Sequence, residues 1–124
     1  MSEAALKFIA DLMDSLSIPY DHDEWHDTPP DRYFVGEPIE DTMTTMEEDG
    51  RQDTVLILRG FTRKEKMILL RDADTIRKNL PPAQKLPDGT WIAVFYEGSR
   101  FIHTGDAELK SIKTNLRIKE WRVN

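Results

Sequence analysis

The segment HDEWH, residues 22–26, holds the residue types that could bind a metal ion. Two histidines four positions apart come close to the H-E-x-x-H pattern of zinc proteases, in which both histidines hold the metal and the glutamate after the first is the general base. In this sequence Asp23 follows His22, and Glu24 comes one position later. On a helix, that shift turns the carboxylate by about 100° from the face of the histidines. The zinc-protease pattern is therefore not met.

The residues around HDEWH also disfavour a helical metal site. The stretch YDHDEWHDTPPDR is rich in Asp and Pro, which favour turns and interrupt helices. We predict a loop or a short strand, on which the two histidines would stand about 13 Å apart. We therefore predict no metal and no cofactor; if the protein were a metal-dependent hydrolase, the ligands would be His22, His26 and an acid such as Glu24. Trp25 is predicted to be an apolar anchor that packs on the sheet or on a neighbouring subunit.

Sequence motifs for other chemistry do not occur. The six glycines are isolated and form no phosphate-binding loop, there is no G-x-S-x-G motif, and the chain has no cysteine. His103 with Asp106 could act as a base, although a lone histidine at a strand end is more typical of a structural or surface residue. The sequence therefore predicts a protein that is not an enzyme.

Length and composition predict one domain, residues 1–124, because 124 residues with 39% hydrophobic content suffice for a single core. No export signal or membrane-spanning segment is recognisable, so the cytosol is the expected compartment and no membrane is expected as a partner. The net charge of −6 argues against sequence-specific recognition of nucleic acid, although the basic carboxy-terminal half leaves weak contact with phosphate groups open.

Charge is distributed unevenly along the chain. Twelve acids lie between Asp21 and Asp53 against two arginines, whereas from Arg59 onward fourteen Lys and Arg face eight acids. The acidic segment of one copy could therefore meet the basic segment of another. The alternative is that both are solvated faces of a monomer.

Apolar periodicity predicts two helices. Residues 2–17 form the first, with Ser2 as N-cap, Pro19 beyond its end, and an apolar face of Ala5, Phe8 or Ile9, Leu12, Met13 and Leu16. The second is capped by Thr62 and runs from Lys64 to about Leu80, with one side formed by Met67, Leu70, Ala73, Arg77 and Leu80.

Strands are predicted at residues 32–40, 53–63, 91–96, 100–103 and 112–118, with tight turns at Asp88-Gly89 and Gly98-Ser99. The apolar run 55–58 predicts a strand that is covered on both faces. The apolar alternation of the last strand slips at Trp121, which predicts a bulge or a second apolar face there. We expect an α+β fold, a mostly antiparallel sheet of about four to five strands packed by two helices, with an acidic loop or hairpin arm at about residues 41–53.

The order of elements, together with the phrases DGRQDTVLILRGFTR and GDAELKSIKTNLRIKEWRV, resembles tail-completion and tail-terminator proteins of the head-tail neck in long-tailed bacteriophages and prophages of Gram-positive bacteria. The resemblance covers nearly the whole chain. It implies a non-enzymatic structural protein that forms a ring, commonly a hexamer, and joins the tail tube to head-connector proteins. It also implies a location in the bacterial cytoplasm during assembly and in the neck or tail of the virion.

A ring needs two different surface patches that meet head to tail. The predicted pair is the acidic segment 37–53 against a basic strand face; the candidate residues are Glu40, Asp41, Glu47, Glu48, Asp49, Lys113, Arg117 and Lys119. The alternative function is a small cytosolic binding or regulatory module whose acidic loop binds a basic partner.

Overall fold

The computed structural model describes residues 1–40 and 51–123. In chain order the elements are α1 (Glu3–Ser15), β1 (Tyr20–His22), β2 (Arg32–Glu40), β3 (Gln52–Thr62), α2 (Met67–Lys78), β4 (Gln84–Lys85), β5 (Trp91–Ile102) and β6 (Lys110–Trp121). None of the helices in these residues is long and apolar enough to cross a membrane.

One six-stranded sheet joins all the described strands in the order β1-β2-β3-β6-β5-β4. Strand β1 runs parallel to β2, and every other neighbouring pair is antiparallel. The prediction of an α+β fold with two helices is confirmed, but the predicted four to five strands are too few and the sheet is mixed. The two strands that were missed are only three and two residues long, too short to leave a period-two pattern in the sequence.

Helix α1 is attached to the last strand at its first turn. The Ser2 hydroxyl accepts a hydrogen bond from the Ala5 backbone N–H at 3.1 Å, as predicted for an N-cap, and donates one to the Glu120 carboxylate. The Ser2 backbone N–H lies 3.3 Å from both oxygens of that carboxylate. Glu120 is only 4% exposed. A buried anion at the positive end of α1 thus holds the helix on β6.

Helix α2 begins later than predicted and turns a different side to the sheet. Thr62 is the last residue of β3, and its hydroxyl accepts from the Lys64 N–H at 3.1 Å; the N-cap position of the helix is Lys66, so Thr62 does not cap it. Met67 and Leu70 are 45% and 38% exposed, and the buried side is instead formed by Leu69, Asp72, Ala73 and Ile76. The predicted face was right for Ala73 and Leu80, which contact the core, and wrong for Met67 and Leu70, because Asp72 belongs to the buried side.

Burial of Asp72 depends on Arg32 of β2. The Arg32 Nε donates to the Asp72 carboxylate at 2.8 Å, and its Nη2 donates to the Ser17 carbonyl at 3.1 Å. One guanidinium therefore connects β2 to α2 and to the chain just after α1. Buried charges need such pairing, because desolvation of a lone carboxylate is costly.

Strand β5 is continuous, contrary to the predicted turn at Gly98-Ser99. Its pairing with β6 shifts between Tyr96 and Gly98, so Glu97 is an extra residue in a β-bulge, and Gly98 has the positive φ of 130° that this geometry uses. The bulge reverses which side chains face the helices. Before it Tyr96 faces the helices with Leu116, whereas after it Ser99 does so with Thr114.

The end of β6 pairs with β5 in regular register. Glu120 continues the inward alternation of Ile112, Thr114, Leu116 and Ile118, and Trp121 faces outward, where its ring stacks on Trp91 at 6.3 Å between centroids. Of the two predicted alternatives, the second apolar face is the one observed.

Both helices pack on the same face of the sheet, called here the inner face. The core consists of one cluster that includes Ala5, Ile9, Met13, Phe34, Leu56, Leu58, Leu69, Ala73, Ile76, Ile92, Ile112, Leu116 and Ile118. Gly60 belongs to this face because a Cβ there would lie 2.6 Å from the Phe34 ring. The prediction that a second element covers the other face of β3 is not met by any helix or strand in residues 1–40 and 51–123.

Replacement of Glu120 tests the tie between α1 and β6. We expect Glu120→Ala to lower the free energy of unfolding by about 1–3 kcal/mol, because the Ser2 donors lose their buried acceptor. Glu120→Gln keeps one acceptor oxygen and is expected to cost less. Urea unfolding followed by circular dichroism measures both, and equal stability of the alanine variant and the unmodified protein would contradict this role.

Candidate functional site

The two histidines of HDEWH have separate partners. His22 is the last residue of β1, and its Nδ1 lies 3.0 Å from the Tyr20 hydroxyl. Burial raises the pKa of Tyr20, and the nearby Asp23 and Asp21 carboxylates raise it further, so this hydroxyl stays protonated. Asp23 has a positive φ of 63°, which turns the chain away from the strand.

His26 pairs with a different side chain, Asp21. Its Nδ1 lies 2.6 Å from the Asp21 carboxylate, with the His26 side chain 59% exposed. The hydrogen bond and the charge of Asp21 raise the pKa of His26, and the same hydrogen bond lowers the pKa of Asp21. Within residues 1–40 and 51–123, no three His or acidic residues are grouped closely enough to hold a metal ion. The predicted ligands His22, His26 and Glu24 are thus not brought together.

Trp25 packs on the sheet of its own chain. Its ring centroid is 5.2 Å from that of Tyr33, which in turn stacks on Phe61 at 5.3 Å. These three aromatic residues lie at one corner of the face opposite the helices, called here the outer face. Of the two predicted positions for Trp25, the structure shows the intramolecular one, and its role as an anchor for a partner stays a prediction.

The predicted basic residues share the outer face of β6. Lys113, Arg117 and Lys119 alternate with the buried residues of that strand, so all three point away from the helices. Their neighbours on β3 are Arg59, Val55 and Asp53, and on β5 they are Arg100, Phe95 and Ala93. Arg59 and Arg100 were not predicted as part of this face, because they come from strands distant in sequence.

These cations differ in how far other side chains neutralise them. Arg117 Nε donates to Glu97 at 3.1 Å, and Lys119 Nζ lies 5.9 Å from the centre of the Phe95 ring, which is 49% exposed. Arg59 is 3.6 Å from Glu37. Lys113 and Arg100 form no ion pair with any residue that the structure describes.

The acidic segment can be placed only by its ends. Glu40 is the last residue of β2 and pairs with Thr54 of β3, so residues 41–51 connect two antiparallel neighbours at one end of the sheet. Gln52 and Asp53, the last two residues of the predicted arm, belong to β3. Asp41, Glu47, Glu48 and Asp49 lie outside the described residues.

A concavity of about 780 Å³ lies at the opposite end of the sheet, between the start of α2 and the loop after β5. Its lining is mainly apolar and includes Met67, Phe101 and Leu109. His103 and Asp106 also line it, but Asp106 is engaged by Arg63 at 3.2 Å and by the Glu108 N–H at 3.0 Å. These two bonds, the backbone one first, lower the pKa of Asp106, which is thereby held as a carboxylate in its own loop.

Comparison with known proteins identifies no family for this chain, since no protein-family model and no curated protein matches it. Uncovered cations on the outer face are the most distinctive feature of the described residues.

Titration of His26 tests the pair with Asp21. We expect NMR to give a pKa above the ordinary 6.5, since the neighbouring carboxylate favours the protonated ring. Asp21→Asn should return the pKa to its ordinary range, and Asp23→Asn, which leaves the partner in place, should not. The pair stabilises the fold fully at pH values between the ordinary pKa of Asp21 and the ordinary pKa of His26. This stabilisation is lost as the pH falls through the lowered pKa of Asp21, and it is also lost as the pH rises through the raised pKa of His26. An ordinary pKa in the unmodified protein would contradict the pair.

Proposed function

We propose that this protein is a non-enzymatic structural component of a phage or prophage particle that associates with copies of itself into a ring, as a tail terminator or head-tail joining protein. The observation that carries the proposal is the outer face, which no helix covers in the described residues and which bears six cations on its strands: Arg59, Lys85, Arg100, Lys113, Arg117 and Lys119. A large sheet face of this kind is suited to a partner surface.

Charge and position both support a head-to-tail contact. The chain has a net charge of −6, yet its outer face is rich in cations, whereas residues 40–49, from the last residue of β2 towards β3, contain five acids and no cation. Two different patches of opposite charge on one subunit favour a heterologous interface, and such interfaces close into rings or continue as filaments. The resemblance in sequence layout to neck proteins favours the ring.

Light scattering over a concentration series tests self-association. We expect a ring at low salt that dissociates at high salt, because exposed ion pairs are screened. Charge reversal at Lys113, Arg117 and Lys119 should weaken association by about tenfold or more while circular dichroism stays unchanged.

A matched control is charge reversal of Lys7, Arg71 and Lys78, which are exposed on α1 and α2, away from the outer face, and change the net charge equally. This variant should still assemble. A monomer at every concentration and salt would contradict self-assembly of the free subunit, and equal loss in both variants would show that net charge alone controls association.

A further inference from the structure

Three cations stand side by side across three neighbouring strands. Lys113 of β6 is paired with Arg59 of β3 on one side and with Arg100 of β5 on the other. We call these three residues the cation row. Neighbouring strands are about 4.8 Å apart, and like charges directly opposite each other destabilise an antiparallel pair. The row therefore costs stability in the isolated subunit.

Other side chains compensate only one end of the row. Glu37 lies 3.6 Å from Arg59, with both side chains about half exposed. Lys113 and Arg100 have no ion pair and no side-chain hydrogen bond with any residue of the described ranges. They line a shallow polar depression of about 430 Å³ with Gly98, Asn115 and Glu97, and the Glu97 carboxylate is already engaged by Arg117. Among the described residues, their donors thus have no charged partner where they border this concave surface.

The bulge in β5 is what completes the row. Ile92, Val94 and Tyr96 face the helices, so unbroken alternation would place residues 98 and 100 there too. The extra residue Glu97 reverses this order, and Arg100 pairs beside Lys113 on the outer face. The same residue provides the carboxylate that holds Arg117. One local feature therefore neutralises Arg117 and exposes an uncompensated Arg100.

We propose that the cation row is the binding site for the acidic segment 40–49 of a second copy of this chain. The proposal rests on the self-association proposed above and deepens it by naming which cations bind. The segment contains Glu40, Asp41, Glu47, Glu48 and Asp49 and no cation. Carboxylates bind Arg and Lys through charge-assisted hydrogen bonds. The overall acidity of the chain disfavours nucleic acid as the partner.

Strand geometry places the row beyond the reach of most of these acids in the same subunit. Arg51 precedes Arg59 by eight residues, or roughly 27 Å along the strand direction. Glu48 and Asp49 lie within three residues of Arg51, so even a fully extended return leaves them more than about 15 Å from Arg59. The acids at this end of the segment can meet a cation row only on another copy. The acidic segment and the cation row then lie at different places on each subunit, which is the arrangement of a heterologous contact.

A labelled peptide of residues 39–51, added to the full-length protein at low salt, tests the site directly. We expect binding that Arg100→Gln with Lys113→Gln weakens by about tenfold or more, since two charge-assisted contacts are lost. The matched control is Arg117→Gln with Lys119→Gln, which removes the same charge from the same face and should weaken binding by less than about threefold. A peptide with Glu47, Glu48 and Asp49 replaced by their amides should not bind.

Three further outcomes overturn the proposal. Absence of peptide binding to the unmodified protein would contradict the cation row as the binding site, even if light scattering shows a ring. The proposed ring would then form through another interface. Equal weakening of peptide binding in the two double variants would indicate long-range attraction by the whole charged face and no specific binding at the row. Tighter row-dependent binding of a single-stranded oligonucleotide would make the row a nucleic-acid site. Peptide binding by a protein that stays monomeric would support the row and contradict the ring.

Discussion

Packing of both helices against one face of the sheet is the constraint on which the rest of this structure depends. The inner face is apolar and closed, so its energetics are those of an ordinary core. The outer face must be stable with no helix over it in the described residues. It achieves this with long side chains and aromatic pairs, and Ile57 and Val35 are only 6% and 8% exposed although they belong to that face. The stems of arginine and lysine cover apolar surface while their charged ends stay in water.

Two hydrogen-bonded side-chain pairs, each buried or half-buried, hold the helices in place at opposite ends of the sheet. At one end Ser2 and Glu120 join α1 to β6, and at the other Arg32 and Asp72 join α2 to β2. Each tie includes a carboxylate whose burial would be costly without its partner. Such ties are directional, whereas apolar contacts alone allow a helix to slide along the sheet. They therefore fix the position of the helices and, with it, which face of the sheet is left open.

Much of the fold could be predicted where one physical signal dominated the sequence. Helix α1 has a regular apolar face and a serine cap, and β6 alternates cleanly, so both were predicted close to their observed bounds. Helix α2 failed because its buried side includes Asp72, which a hydrophobic pattern assigns to the surface. The turn predicted at Gly98-Ser99 failed because the same residues serve a bulge. Of the candidate site, Lys113, Arg117 and Lys119 were predicted to share a face from alternation within one strand. Arg59 and Arg100 could not be, since strand order and register decide their neighbours.

The bulge at Glu97 makes the surface of β5 sensitive to chain length in a way that its composition does not reveal. Point substitutions at Arg100 would change only the chemistry of an exposed site. Loss of one codon just after the bulge, for instance that of Ser99, would shift the alternation by one residue, turning Arg100 toward the core and Phe101 toward solvent. In descendants of this sequence, the segment from the bulge to the end of β5 should therefore vary less in length than in residue type. A change of length there would be tolerated only with a second, compensating insertion or deletion on the same strand.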